Sequence, residues 1–328
     1  MKWAILLPVI FWAKTNQAQN KSIAFTPTSF SNRFTLNIPP VLTINSGDTI
    51  VTETIDAGGY DQHGVKRHQG GNPLTGPFFI NEAKAGDVLA IRLVKVRLNR
   101  DYAFTTEGIG GRGASKDIVN QFGKKPKLVK WKLDRANEVA YIDSGYDKLK
   151  NYKIALRPFL GCIGVAPLGK NNEILSFFQG EFGGNLDFSS AAESAIVYLP
   201  VLHDGGFLFF GDGHALQGDG ELAGNALEAS MDIAFTVSLI HAPAAALTSP
   251  RLETATHIMS MGISKTIDDA FKKATDELLK WLQQDYQLTL TEAALVASTT
   301  VEYTVAEIAD PNVTVVAKMK KDVIAQLK

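Results

Sequence analysis

The sequence predicts an α+β protein with a β-dominated core, sandwich-like or barrel-like, and helices collected near the C-terminus. Two features carry that prediction. Alternating, β-branched segments bounded by Gly, Pro, Asn and Asp clusters recur from residue 23 onward, the pattern of strands joined by turns. Helical periodicity becomes strong only after residue 264. Strands first and helices last describe α+β rather than a βαβ repeat.

Phe34–Ile38, Val41–Ile44 and Asp48–Ile55 read as strands, separated by Pro39-Pro40 and by the turn Ser46-Gly47-Asp48. Residues 57–77 are rich in glycine without any period, and a loop of that length in a compact domain is usually functional or disordered. Gly76–Ile80 and, after the turn Lys84–Asp87, Val88–Val96 continue the strands. Residues 99–153 alternate only weakly, and the Lys-rich stretch 124–132 reads as a solvated surface ribbon or insertion. Strands return at Arg157–Val165, Ser230–Ile240, Thr299–Ala306 and Thr314–Lys318.

Thr266–Asp285 places Ile267, Ala270, Phe271, Ala274, Leu278, Leu279 and Leu282 on one helical face. Ser264 is the expected cap, with Asp268 and Asp269 in the first turn. Thr289-Leu290-Thr291-Glu292 starts a second helix running to about Ser298. The stripe Leu278, Leu279, Leu282 serves packing within the chain or against a second copy, and a homo-oligomer is the expected assembly.

Residues 1–18 have the form of an export signal: Lys2, the apolar run Trp3–Ala13 and a small residue, Ala18, before Gln19. The run falls short of the roughly 20 residues that span a bilayer. A periplasmic or secreted protein with no membrane attachment after signal removal follows. A buried first strand is the competing reading. Lys plus Arg number 33 against 34 acids, and no basic cluster with interleaved aromatics occurs, so nucleic acid is excluded as a partner. Cys162 is the only cysteine, which rules out an internal disulfide and cysteine-rich zinc sites. It lies in an apolar run, where a packing role is far commoner than a nucleophilic one.

Chemistry concentrates in Gly211–Glu221, where Asp212, Asp219, Glu221, His214 and Gln217 alternate with glycines. Glycines at positive φ would let successive polar side chains converge, and mixed carboxylate and imidazole donors suit Zn²⁺, Mn²⁺ or Ca²⁺. The competing reading is a set of Asp-Gly turns. A second cluster is Gly183-Gly184-Asn185-Leu186-Asp187, and a third holds Asp56, Asp61, His63 and His68 in the glycine-rich loop. The H-E-x-x-H helix, the G-x-S-x-G elbow, the EF-hand loop and the P-loop are all missing from the sequence.

Several separated segments resemble the acetamidase/formamidase family: Asn72–Phe78, Ala85–Leu89, Arg157–Pro167, Gly183–Asp187, Gly211–Glu221 and Arg251–Thr254, in the family's order. The Arg-Pro-Phe-Leu-Gly and Gly-Asp-Gly-His-Ala strings are the specific ones. The resemblance implies one domain over residues 19–328, a β-rich α+β fold, a bound divalent metal, and hydrolysis of short linear amides such as formamide or acetamide to acid and ammonia. Residues 99–153 look longer and more divergent than a minimal member, which points to a different pocket wall. On this basis Asp212, His214 and Asp187 are expected as metal ligands, joined by Asp56, with zinc the leading ion. Glu221 is expected as general base, and its role and that of Asp56 are interchangeable at this stage. Asn185 and the amides of residues 183–184 are expected to donate to the oxyanion. The alternative is an exported, non-catalytic, metal-stabilised binding module. His214 speaks against that, because imidazole suits zinc better than calcium.

Overall fold

A computed structural model describes residues 20–122, 126–142, 145–241 and 247–327; the expected signal at residues 1–18 lies outside them. Two large sheets form the body. The first has nine strands, in the order Ser22–Ala24, Thr49–Thr54, Met231–Ile240, Val88–Leu98, Ile196–Pro200, Arg251–Glu253, His257–Ser264, Val313–Lys320 and Glu302–Glu307. The second has six, in the order Gln179–Gly180, Gly183–Asn185, Phe159–Gly164, Leu208–His214, Leu74–Ile80 and Leu42–Ile44.

The sheets meet face to face as a sandwich. In Val88–Leu98 burial alternates, with Ile91, Leu93, Val96 and Leu98 inward and Arg92, Val94 and Arg97 exposed, the period of a strand with one wet face. The inward residues share one core with Leu160, Cys162, Phe78 and Phe210 of the six-stranded sheet. Phe235 bridges the layers, its ring centroid 5.1 Å from that of Phe78 and 4.4 Å from that of Phe210.

A third, smaller sheet lies outside the sandwich: Tyr102–Thr106, Leu128–Asp134, Val139–Tyr141 and Lys153–Ala155. This is the poorly legible region, and the expected surface ribbon is an edge-exposed antiparallel sheet. Phe104 pairs through its backbone with Glu228, N–H to oxygen at 3.3 Å and 2.8 Å in the two directions. That bridge fastens the outer sheet to the end of the sandwich.

The helices are Ile267–Tyr286 and Leu290–Thr300, with a short turn at Lys321–Ile324. The first is capped by Thr266, whose side chain accepts from the Asp269 N–H, so the expected cap at Ser264 is two residues early; Ser264 ends a strand instead. The second begins with the capping box of Thr289 and Glu292. Leu278 and Leu282 are fully buried against Ile258, Ala317 and Met319 of the chain's own sheet, which accounts for the leucine stripe without a second copy. The close approach depends on Gly262, where a β-carbon would collide with the Ala270 carbonyl oxygen. Among the described residues no helix is long and apolar enough to cross a membrane.

Candidate active site

Two neighbouring strands and the segment after a third build the site. Leu208–His214 runs antiparallel to Phe159–Gly164, with Leu160 opposite Gly213 and Cys162 opposite Gly211, which sets Gly161 across from Asp212. Gly183–Asn185 flanks the same strand on its other side, and the chain then folds back so that the Leu186 N–H donates to the Gly161 carbonyl at 2.8 Å. Asp187, Asp212 and His214 meet over Gly161.

Glycine makes this possible only partly as expected: Gly183, Gly184 and Gly220 take positive φ, at 89°, 102° and 86°. Gly211 and Gly213 do not take the left-handed conformation; Asp212 between them does, at φ 53°, as do Asp187 at 43° and Glu221 at 44°. The glycines are needed for space. A β-carbon on Gly213 would lie 2.6 Å from the Ala229 carbonyl, and one on Gly211 2.8 Å from the Pro73 carbonyl. At Gly161 a β-carbon would strike the Asp187 carboxylate and stand 2.9 Å from an Asp212 oxygen.

His214 is completely buried, its ring edge-on to Phe159 at 4.9 Å. Its Nε2 stands 3.4 Å from Asp212 Oδ1, 3.4 Å from Glu228 Oε2 and 3.9 Å from Glu221 Oε1, and its Nδ1 3.9 Å from Asp187 Oδ1. Among the described residues neither ring nitrogen has a partner in hydrogen-bond geometry, and neither do Asp187 Oδ1, Asp212 Oδ1 or Glu228 Oε2. Buried polar atoms in folded proteins are nearly always paired; these five, one set on each side of the imidazole ring, are of the types that ligate a metal ion. Asp187, His214 and Glu221 form one grouping of metal-ligand type; Asp212, His214 and Glu228 form another.

Electrostatics says the same. Burial pushes the carboxyls of Asp187, Glu221 and Glu307 up, and the neighbouring Asp212 charge adds to the effect at Asp187. Glu228 is raised to about 7, by burial and by Asp212. Burial disfavours the His214 imidazolium, but the charges of Glu228 and Asp212 outweigh it and hold the imidazole well above its ordinary value. Like charges crowded in a low-dielectric pocket are stable only with protons or a cation among them.

The remaining predicted residues fall in different places. Asn185 donates to Asp187 Oδ2 at 2.5 Å and to Asp310 Oδ2 at 2.8 Å, and accepts from the Cys162 thiol at 2.8 Å. Both amide hydrogens are therefore engaged with carboxylates. Asp56 joins neither grouping, because Arg100 holds its carboxylate in a buried ion pair at 2.6 Å. Cys162 is fully buried, and burial pushes its thiol well up, which leaves it a packing residue. Sequence reading takes Phe210–Glu228 as the stretch around which the site is built but gives Glu228 no role, and it does not single out Glu307 or Asp310, nor Asn72, whose Nδ2 donates to Asp212 Oδ2 at 3.0 Å. Asn72 was visible as part of Asn72–Phe78. The other three had no local spacing to mark them.

One cleft reaches the site. It has a volume of about 590 Å³, and Asn72, Glu228, Tyr60, Tyr102, Phe104 and Leu128 are among its lining residues.

The chain matches the model of the Acetamidase/Formamidase family over residues 17–176 and 178–325. The chain belongs to that family. No curated protein sequence matches it. Among solved structures, an acetamidase from Yersinia enterocolitica is 29% identical, with a TM-score of 0.80 over 94% of this chain and 95% of that one. An acetamidase from Bacillus halodurans superposes with a TM-score of 0.78 at 24% identity, covering 93% of this chain and 99% of that one. A predicted acetamidase/formamidase from Thermoanaerobacter tengcongensis gives 0.77 at 24%, covering 94% and 98%. The protein is thus an amide hydrolase of the acetamidase/formamidase family, and the two carboxylate and histidine groupings are this amidase's candidate metal-binding residues. That membership decides against the non-catalytic binding module.

Proposed function

We propose that this amidase is metal-dependent and hydrolyses linear primary amides to a carboxylic acid and ammonia. The observation that carries the reading is the set of unpartnered donor atoms around His214. They are of the types that bind a divalent ion, and both His214 nitrogens lie against carboxylate oxygens, which fits zinc better than calcium, with manganese second. Asp212, His214 and Glu228 would hold the ion, because one nitrogen stands 3.4 Å from an oxygen of each acid and Glu228 also lines the cleft. A bound divalent ion supplies polarisation of the amide carbonyl and a water of lowered pKa.

The other side chains position groups and carry protons. Asp187 faces the second nitrogen of His214 at 3.9 Å, where a small shift on metal binding would let it accept the ring N–H and orient the imidazole, as carboxylates behind ligating histidines do. Glu221 reaches within 3.9 Å of the same Nε2 without being one of its two nearest acids, so it is assigned as general base, returning the proton to the departing amine. Asn72 lines the cleft beside Asp212; its amide donates to Asp212 Oδ2 at 3.0 Å and more loosely to Asn185 Oδ1 at 3.5 Å, and the longer bond is the one a substrate carbonyl would replace. Asn185 acts through Asp187 and Asp310 rather than on substrate.

The test is metal content of the purified protein together with ammonia release from formamide, acetamide and longer amides, before and after chelation. About one divalent ion per chain and release that stops on chelation and returns with zinc are expected. Release that survives complete metal removal would reject metal dependence. The N-terminal pattern also supports export, for which the expected result is a mature chain beginning at Gln19 in the periplasmic or secreted fraction.

A further inference from the structure

The cleft above Glu228 is much larger than the smallest amides need. Acetamide has four heavy atoms, and one water occupies roughly 30 Å³, whereas the cleft offers about 590 Å³. That lies inside the range of about 300–1,000 Å³ typical of pockets for larger organic ligands.

Its wall is apolar and fixed in relation to the site. Tyr60, Tyr102, Phe104 and Leu128 line it. Leu128 is 69% exposed and Tyr60 39%, so both present apolar surface that none of the described residues covers. Tyr102 and Phe104 pack edge to face at 5.6 Å, and the Tyr102 ring lies within 4.4 Å of both the Arg100 guanidinium and the Lys130 ammonium. Phe104 and Glu228 are backbone partners, which holds the aromatic wall at a set distance from the reacting end. The other carboxylate lining the cleft, Asp56, is neutralised by Arg100.

We infer that this cleft is an acyl pocket, and that the enzyme's preferred substrates are primary amides with an aromatic or branched apolar acyl group larger than acetyl. The inference rests on the amidase reading above. Apolar acyl surface leaves water against the aromatic wall while the amide end remains at Asn72 and Glu228. Each additional methylene in such a pocket typically improves kcat/KM by about tenfold or more.

The experiment compares kcat/KM for ammonia release from acetamide, isovaleramide, phenylacetamide and succinamate by the metal-loaded full chain. Phenylacetamide or isovaleramide should exceed acetamide by about tenfold or more. That preference should collapse in Leu128→Asp and in Tyr102→Ala, mainly through KM. A ratio between two substrates is unaffected by the fraction of variant that folds. Acetamide turned over as well as the larger amides, or a preference unchanged in both variants, would overturn the acyl pocket while leaving the amidase reading intact. Succinamate as the best substrate would overturn it too, showing that the wall with Lys66 over Tyr60 selects an anionic group. No ammonia from any of the four would overturn the pocket, and none from formamide as well would reject the linear-amide reading on which it rests.

Discussion

The side-chain nitrogen of Asn185 donates to two carboxylates at once, Asp187 at 2.5 Å and Asp310 at 2.8 Å. One neutral amide thereby ties the loop after Gly183–Asn185 to the turn between the last two long strands. It holds Asp187 facing His214. Asn185→Ala should weaken metal binding by about 10–100-fold, the usual penalty for removing a group that orients a ligand. Asn185→Asp should do worse, because it adds a like charge. Competition with a chromogenic chelator measures this directly, and unaltered affinity in both variants would limit Asn185 to packing.

Glu221→Gln keeps shape and volume but removes the proton acceptor. Ammonia release should fall by about 10²–10⁴-fold, while metal content stays near that of the wild type. A variant that loses its metal instead would make Glu221 a ligand and transfer the base's role to another carboxylate.

Gly161→Ala separates the site from the core. Gly161 does not occupy the left-handed region, so alanine is acceptable to the backbone, and its methyl group points at Asp187 and Asp212. Because the methyl group also stands 3.0 Å from the Asp212 carbonyl oxygen of the paired strand, the metal-free variant should stay folded but melt below the metal-free wild type, and bind no ion. Full metal occupancy in a crystal of this variant would show that the two carboxylates have room to move apart.

Asp48 offers a pH test well away from the site. Burial favours its protonated form, but the N–H groups of Lys21 and Asn45, each at 3.0 Å, outweigh that and hold its carboxyl below the ordinary 3.8. A depressed carboxyl contributes stability above its unfolded value and loses it as pH falls through the folded one. Asp48→Asn should therefore destabilise by about 1–3 kcal/mol at neutral pH, with the gap closing well below pH 3.8. Thermal melts of both proteins across that range check it; a constant gap would mean the charge is irrelevant.

Glu277 anchors the long helix. It is buried, accepts from Arg251 at 2.8 Å and from the Thr248 hydroxyl at 2.6 Å. The Arg251 guanidinium lies 4.9 Å from the centre of the Trp281 ring. Glu277→Ala should cost about 3–5 kcal/mol by leaving a buried cation unpaired. Adding Arg251→Met should restore part of that loss in urea titrations, and a purely additive double variant would deny the coupling.

How much of this was legible in the sequence depends on distance along the chain. The helix Ile267–Tyr286 was readable because its apolar face repeats locally, and Thr289 with Glu292 announced the next helix in four residues. Asp212, His214 and Glu221 stood out because they lie within ten positions of each other. Glu307 and Asp310 reach the same place through the pairing of Gly220 with Glu307 and the hydrogen bond from Asn185 to Asp310, tertiary contacts with no local trace. Asp56 sat at the expected strand end, but its partner Arg100 is 44 positions away across two strands. The outer sheet was obscure because Leu128–Asp134 has only Leu133 buried; a strand with so little apolar patterning reads as loop.

The left-handed backbone at Asp187, Asp212 and Glu221 has a consequence for anyone engineering this enzyme. Each is a residue with a β-carbon where glycine would relieve roughly 1 kcal/mol of backbone strain. Selection for heat resistance alone, blind to turnover, should therefore drift toward replacing the three acids first. A library ranked by melting temperature would enrich sturdy, inert molecules, and only a screen that also reads product would keep the acids in place.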